Sequence, residues 1–135
     1  MSGGLRRPTR QNGIMTSGFV GYLTVSLAAV ILHELGHAIV ATATGIRIKR
    51  IGISWRGPYL VREQGPPIAS FFTALAGPVL NVMLGVWFLG LAPQFSLVNL
   101  VLGAYNMLPF VPGLDGYNAL AAYRKMGSLR QNRPA

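Results

Sequence analysis

The chain has 135 residues, of which 11% are charged and 51% are hydrophobic, and its mean hydropathy is +0.43. Twelve Lys and Arg residues against three acids give a net charge of +9. A soluble domain carries about 25% charged residues, and a disordered basic tail is far less apolar, so both classes are excluded. The length allows one domain. The absence of Cys excludes disulfides, thiolate zinc sites and cysteine nucleophiles.

The charge distribution argues against a nucleic-acid-binding protein. Between residues 11 and 46 the only charged residue is Glu34, and between residues 64 and 123 it is Asp115. The basic residues cluster on either side of these apolar stretches. Such clusters are typical of the ends of membrane spans, where cations contact lipid headgroups. We therefore expect a lipid bilayer as the surroundings and no nucleic-acid partner.

The apolar stretches predict three membrane spans, at about 14–44, 68–92 and 95–123. Each exceeds the roughly 20 residues that cross a bilayer. The third is a broken helix, because Pro109 to Gly113 interrupts it. The predicted fold is all-α and transmembrane, with one core over 14–123 and a tight break at Pro93-Gln94. Ionisable residues inside the first span disfavour a cleaved signal peptide.

Basic tails at 1–13 and 124–135 flank the predicted core. Three spans place the N-terminus and the turn at 93–94 on one side, with three basic residues. The loop at 46–66 and the C-terminus lie on the other side, with nine. The positive-inside rule then predicts a multi-pass protein of the cell membrane, with its N-terminus outside and its C-terminus in the cytoplasm.

Residues 46–62, between the first two spans, predict an interfacial β-hairpin. Apolar residues alternate along this loop, and the alternation changes phase at Lys49-Arg50, which predicts a β-bulge or a twist. Two roles fit the pattern. Trp55 and Tyr59 could anchor the hairpin among lipid headgroups, or its edge could capture an extended peptide by strand addition. Periodicity alone favours the anchor.

Residues 33–37 read His-Glu-Leu-Gly-His, an HExxH motif within the first span. Residues four apart share a helix face, so His33 and His37 can bind one metal ion. In such motifs the Glu, here Glu34, acts as a general base. An acid inside a span costs about 2.5 kcal/mol or more, which marks function. The alternative is a polar cluster that joins helices by hydrogen bonds.

A catalytic zinc ion takes three protein ligands and keeps one position open. The chain has two His and no Cys, and of its three acids Glu34 is needed as the base. The third ligand must therefore be Glu63 or Asp115. An ion pair with neighbouring Arg62 accounts for Glu63, whereas no neighbouring cation neutralises Asp115. The two His lie about 10–17 Å from the inner end of their span, and Asp115 lies about 10 Å from the same side. The sequence therefore predicts a zinc site that includes Asp115.

Three motifs follow in order: HELGH at 33–37, AGPVLN at 76–81 and NMLPFVPGLDG at 106–116. With these motifs the chain resembles the site-2 protease family of intramembrane zinc metalloproteases, over about residues 18–123. The resemblance implies a zinc metalloendopeptidase that hydrolyses peptide bonds in or near transmembrane segments of membrane-protein substrates. It also supports the hairpin as a substrate clamp.

The residues that we assign on this resemblance are the zinc ligands His33, His37 and Asp115, the catalytic base Glu34, Asn81 in catalysis and substrate binding, and Asn106, Ile51 and Ile53 in substrate binding. The sequence is close to the bare three-helix core of the family, so we expect self-association or a partner membrane protein to shield the site.

Two other functions fit parts of the sequence. One is a non-catalytic, protease-like membrane module that binds transmembrane helices, although the intact Glu34 argues against it. The other is metal transport, which needs ionisable residues along a path, and the spans contain almost none.

Overall fold

The computed structural model describes residues 11–55 and 57–131, and only the backbone at 11–17, 57 and 130. These residues form four helices and a two-stranded antiparallel sheet. The elements in chain order are α1 (Gln11–Ala43), β1 (Ile48–Ser54), β2 (Gly57–Arg62), α2 (Pro67–Trp87), α3 (Pro93–Asn106) and α4 (Asp115–Gln131). The mostly helical fold and the hairpin after the first helix are as predicted. The basic residues at 6–10 and 133 lie outside the described residues.

Two described helices are long and apolar enough to cross a membrane, over Gly18–Ala43 and Pro67–Trp87. The third predicted span consists instead of two shorter helices. With 14 residues, α3 is about 21 Å long, less than the ~30 Å of a bilayer core. The helix α4 continues to Gln131, past the end of the core predicted at residue 123, and carries basic residues in its second half.

Prolines set the boundaries between these helices. The predicted second span reached residue 92, but α2 ends at Trp87 and a turn follows. Pro93 begins α3 instead of forming the predicted break, because a proline suits the first turn of a helix, where its missing N–H has no partner to lose. The predicted break at Pro109 to Gly113 is confirmed, although it is longer than predicted, since residues 107–114 are non-helical.

The hairpin pairs β1 with β2, with Ile51 opposite Leu60 and Ser54 opposite Gly57. The predicted bulge is confirmed, since the register shifts between Ile48 and Arg50. The predicted ion pair between Glu63 and Arg62 is wrong, because Glu63 pairs with Lys49 instead. Glu63 lies 3.6 Å from Lys49 Nζ across the hairpin, because the antiparallel register brings the ends of the two strands together.

The central helix is α2, which packs against α1, α3 and α4, while the hairpin packs against α1. The interior of this arrangement is unusually polar. Apart from Pro78, the buried apolar side chains of the described residues are alanines and Ile46. The buried polar residues are His33, His37, Thr73, Asn81, Ser96 and Asn99.

Candidate metal centre

Three side chains from distant parts of the chain meet between α1, α2 and the start of α4. His33 and His37 lie one turn apart on α1, with their Nε2 atoms 3.2 Å from each other. Oδ2 of Asp115 lies 2.9 Å from Nε2 of His33 and 3.2 Å from Nε2 of His37. Both imidazoles are buried, and Asp115 is half-buried at the first turn of α4. These three residues form a group that could hold a metal ion.

Space for the two imidazoles comes from Gly77 on α2. A Cβ at Gly77 would lie 2.5 Å from His37 Nε2 and 2.9 Å from His33 Nε2, which no real contact allows. On the opposite helix, a Cβ at Gly36 would lie 2.9 Å from the carbonyl oxygen of Ala76. The two glycines therefore let α1 and α2 approach with the imidazole rings between them.

Hydrogen bonds fix which nitrogen of each ring carries the proton. Nδ1 of His37 lies 2.6 Å from the carbonyl oxygen of Thr73, which can only accept. Nδ1 of His33 lies 2.7 Å from Oδ1 of Asn81, whose amide nitrogen is used elsewhere. Both rings therefore donate from Nδ1 and keep a lone pair on Nε2. This is how metal-binding histidines are usually oriented.

The donor set fits a zinc ion. Two Nε2 lone pairs and a carboxylate oxygen face one another at 2.9–3.2 Å, an arrangement that repels itself unless a cation lies between them. A tetrahedral zinc with bonds of about 2.0–2.1 Å separates its ligands by about 3.3 Å. Two His and one carboxylate also leave one of four positions open, as catalytic zinc sites do.

Two charged groups lie around this centre. Glu34 follows His33 on α1, is half-buried, and interacts electrostatically with both imidazoles and with Asp115. Arg62, at the end of β2, interacts electrostatically with both Asp115 and Glu34. Burial lowers the pKa of the Arg62 guanidinium below its ordinary value, although Asp115 and Glu34 favour its charged form.

The family model that matches this sequence is that of the peptidase M50B-like proteins, over residues 12–112. The chain belongs to this site-2 protease family. It is 34% identical over 125 residues to a putative zinc metalloprotease of Synechocystis, covering 78% of this chain and 32% of that protein. It is 30% identical over 122 residues to a zinc metalloprotease of Methanocaldococcus jannaschii, covering 79% of this chain and 36% of that protein.

The solved structure of the site-2 protease from Methanocaldococcus jannaschii has the same fold, with a TM-score of 0.66 and 28% identity. The match covers 76% of this chain and 53% of that one. The match to the two curated relatives covers 32% and 36% of their length, so the chain spans about a third of the curated relatives it matches. Together with the two apolar helices, membership in the site-2 protease family makes this chain a membrane protein.

The other residues assigned from the resemblance to site-2 proteases lie at different distances from the centre. Asn81 is completely buried, and its Oδ1 accepts a hydrogen bond from Nδ1 of His33, one of the three residues of the centre. Asn106 is half-buried at the end of α3, with its amide bonded to the carbonyl oxygen of Leu102 at 3.0 Å. Ile51 and Ile53 are 72% and 86% exposed on β1. The roles of all these residues stay predictions.

Sequence reasoning missed three contributors to the centre: the Thr73 carbonyl, Arg62 and Asn99. A backbone carbonyl leaves no signal in sequence. Arg62 was assigned to Glu63, its neighbour in the chain. Asn99, which accepts a hydrogen bond from Asn81 at 2.7 Å, does have a signal. It shares a helix face with Ser96 and Gly103 in an otherwise apolar segment, and all three are buried.

Proposed function

We propose that this chain is the core of an intramembrane zinc metalloprotease, which hydrolyses peptide bonds in or near the transmembrane segments of membrane-protein substrates. One observation carries the proposal: two imidazoles and a carboxylate converge with their metal-binding atoms 2.9–3.2 Å apart. These groups lie between apolar helices, where unpaired polar residues are costly. The relatives named as zinc metalloproteases support the metal and the reaction.

In this proposal His33, His37 and Asp115 hold the zinc ion. When bound, zinc supplies Lewis-acid activation of water and of the substrate carbonyl. The protein groups keep the ligands in place: the Thr73 carbonyl orients His37, and the Asn81 amide orients His33. Such outer partners also raise the basicity of the ligating nitrogens.

Glu34 is the proposed general base. It is half-buried and interacts electrostatically with all three proposed ligands, which supports a place beside the centre with access to its surroundings. Its carboxylate takes a proton from the attacking water and then returns it to the leaving amine. The positive charge of Arg62 near Glu34 and Asp115 offsets the repulsion between these two acids.

The proposed substrate site lies along the hairpin and the end of α3. A helical substrate must unwind before cleavage, because its carbonyl groups are otherwise hydrogen-bonded. The extended segment can then add to the hairpin edge, with Ile51 and Ile53 as apolar contacts and Asn106 as a polar one. The high exposure of both isoleucines supports this role. Self-association or a partner membrane protein would shield the site from lipid.

We also propose that α3, residues 107–114 and the start of α4 together form the third span. The N-terminus would then lie outside the cell membrane and the C-terminus in the cytoplasm. The chain has no Cys, so single cysteines can be labelled without background. In whole cells, an impermeant maleimide should label Gln94→Cys and leave Gln64→Cys unlabelled. The reverse pattern would invert the topology.

The reaction is tested with Glu34→Gln in protein reconstituted in liposomes with a tagged test protein that contains one transmembrane segment. Cleavage should fall roughly 10²–10⁴-fold, as for loss of a general base, while the zinc content stays that of the wild type. Undiminished cleavage by this variant would refute the role of Glu34. Binding of the test protein by the wild type without any cleavage would instead favour a non-catalytic helix-binding module.

A further inference from the structure

A chain of buried amides leads away from the metal centre to α3. His33 contacts Asn81, Asn81 contacts Asn99, and Asn99 contacts the carbonyl oxygen of Phe95. Asn81 and Asn99 are both completely buried. We propose that Asn99 is a positioning residue, which fixes the tautomer of His33 through Asn81 and so sets the affinity for the metal. This inference rests on the proposed zinc site.

The direction of the chain follows from its last member. A carbonyl oxygen can only accept, so the group of Asn99 that lies 2.8 Å from Phe95 O must be its amide nitrogen. The Oδ1 atom of Asn99 therefore faces Asn81 and accepts from its Nδ2 at 2.7 Å. This leaves Oδ1 of Asn81 facing His33 Nδ1 at 2.7 Å, where it accepts the ring proton.

The opposite orientation of the Asn81 amide would change which nitrogen of His33 carries the proton. A flipped amide would place its oxygen against Oδ1 of Asn99 and against the carbonyl oxygen of Ala29, which now accepts from Nδ2 at 3.2 Å. It would also present Nδ2 to the Nδ1 atom of His33. The ring would then carry its proton on Nε2, the atom that faces His37 and Asp115. A proton at that position occupies the lone pair that a metal needs.

Asn99 contributes the stronger of the two contacts that prevent this flip. Nδ2 of Asn81 lies 2.7 Å from Oδ1 of Asn99 and 3.2 Å from the carbonyl oxygen of Ala29. The shorter of two such hydrogen bonds is the stronger one. Among the described residues, His37 is supported by no comparable relay, because its Nδ1 bonds directly to a backbone carbonyl that cannot flip. The two histidines therefore depend on Asn99 to different degrees.

The alternative is that Asn99 only joins α2 to α3. Ser96 provides the matched control, because it also is buried on α3 and donates to the carbonyl oxygen of Gly85 on α2 at 2.6 Å. Ser96→Ala removes an interhelical hydrogen bond of the same helix pair and leaves the relay intact. A purely structural role for Asn99 would make its variants behave like Ser96→Ala.

The experiment compares wild type, Asn99→Leu, Asn99→Asp and Ser96→Ala, each purified in detergent. The first readout is the ¹⁵N spectrum of metal-free, ¹⁵N-His-labelled protein in alkaline buffer, where the chain's two His give few signals. The second readout is the zinc Kd, measured by competition with a chelator. Thermal unfolding checks that each variant is folded, and Asn99→Ala replaces the Leu variant if that one is not.

We expect Asn99→Leu to shift His33 towards the Nε2-protonated tautomer, leave His37 unchanged, and weaken zinc binding roughly 10-fold, as for other outer-shell groups. Asn99→Asp keeps an acceptor oxygen for Asn81, so His33 should keep its wild-type tautomer, although this variant loses the amide that donates to Phe95 O and should unfold at a lower temperature. Ser96→Ala should lower the unfolding temperature and change neither readout.

Wild-type values of both readouts in a folded Asn99→Leu protein would overturn the inference. So would an equal loss of zinc affinity in Ser96→Ala. If the wild type itself fails to bind zinc, the proposed function falls, but the tautomer comparison still decides the role of Asn99.

Discussion

The interior of the helix bundle is more polar than its outer surface, which is the reverse of the arrangement in a soluble protein. The interior holds imidazoles, amides and hydroxyls among alanines and glycines. The outer surface carries large apolar side chains, among them Leu23, Ile31, Phe72, Val86 and Trp87. Burial of apolar area therefore contributes little inside this chain, and close backbone packing with interhelical hydrogen bonds takes its place. The outer surface matches lipid, which solvates apolar groups at no cost.

This contrast separates two classes of substitution. Changes inside should affect metal binding and helix packing through single contacts, since each polar group there has a defined partner. Changes outside should exchange one lipid contact for another.

Asp115→Ala should lose most of its zinc at a concentration just sufficient to saturate the wild type. Structural zinc sites bind with about 10–16 kcal/mol from four ligands, so one ligand contributes about 3 kcal/mol, on the order of a 100-fold change in Kd. Elemental analysis of the purified proteins and chelator competition measure the change. Equal zinc content in the variant and the wild type would remove Asp115 from the ligand set.

Gly77→Ala should displace the two imidazoles, because the added methyl group would lie within 2.9 Å of both rings. Overpacking of this kind costs about 1–3 kcal/mol of unfolding free energy, and zinc affinity should fall with it. Gly18→Ala on α1 is the matched control, since a Cβ there meets nothing within 4 Å. That variant should be neutral or slightly more stable.

The measurement for this pair is thermal unfolding in detergent, with and without added zinc. The interpretation of Gly77 as space for the rings fails if both glycine variants unfold at the same temperature and bind zinc equally.

Leu23→Ala, on the outer surface of α1, should change the unfolding free energy by less than about 0.5 kcal/mol, although Leu→Ala inside a core usually costs 2–5 kcal/mol. Leu23 is 60% exposed, so lipid or detergent contacts it in both the folded and the unfolded state. Denaturant titration in detergent micelles checks this. A loss above 2 kcal/mol would mean that a partner helix covers this face.

The sequence predicted the elements of this fold better than their boundaries. Charge clusters and hydropathy located α1 and α2, and the phase change at Lys49-Arg50 located the bulge. The break in the third predicted span was located by its prolines, but the ends of the two helical parts differ from the prediction: α3 ends at Asn106, and α4 runs from Asp115 to Gln131. Prolines indicate that a helix is interrupted, but packing against α2 decides where each part resumes.

For the candidate site, depth and elimination were enough to bring Asp115 to the two histidines in the prediction, and the structure places these three side chains together. Their role as metal ligands stays a prediction. The partners behind the histidines could not be derived in the same way. Thr73 contributes only its backbone carbonyl, which does not depend on the type of side chain. Asn99 is connected to the His33 ring only through Asn81, and hydropathy patterns do not indicate which polar side chains of different helices are in contact.

The separation of His33 and Asp115 by 82 positions has a consequence for biosynthesis. The two histidines come together as soon as α1 forms, but their carboxylate partner does not yet exist. At about 5–20 residues per second, a ribosome needs roughly 4–16 s to reach it. During that interval the nascent chain carries an HExxH helix with an incomplete donor set, so the proposed metal site can be completed only after α3 and the start of α4 have been made.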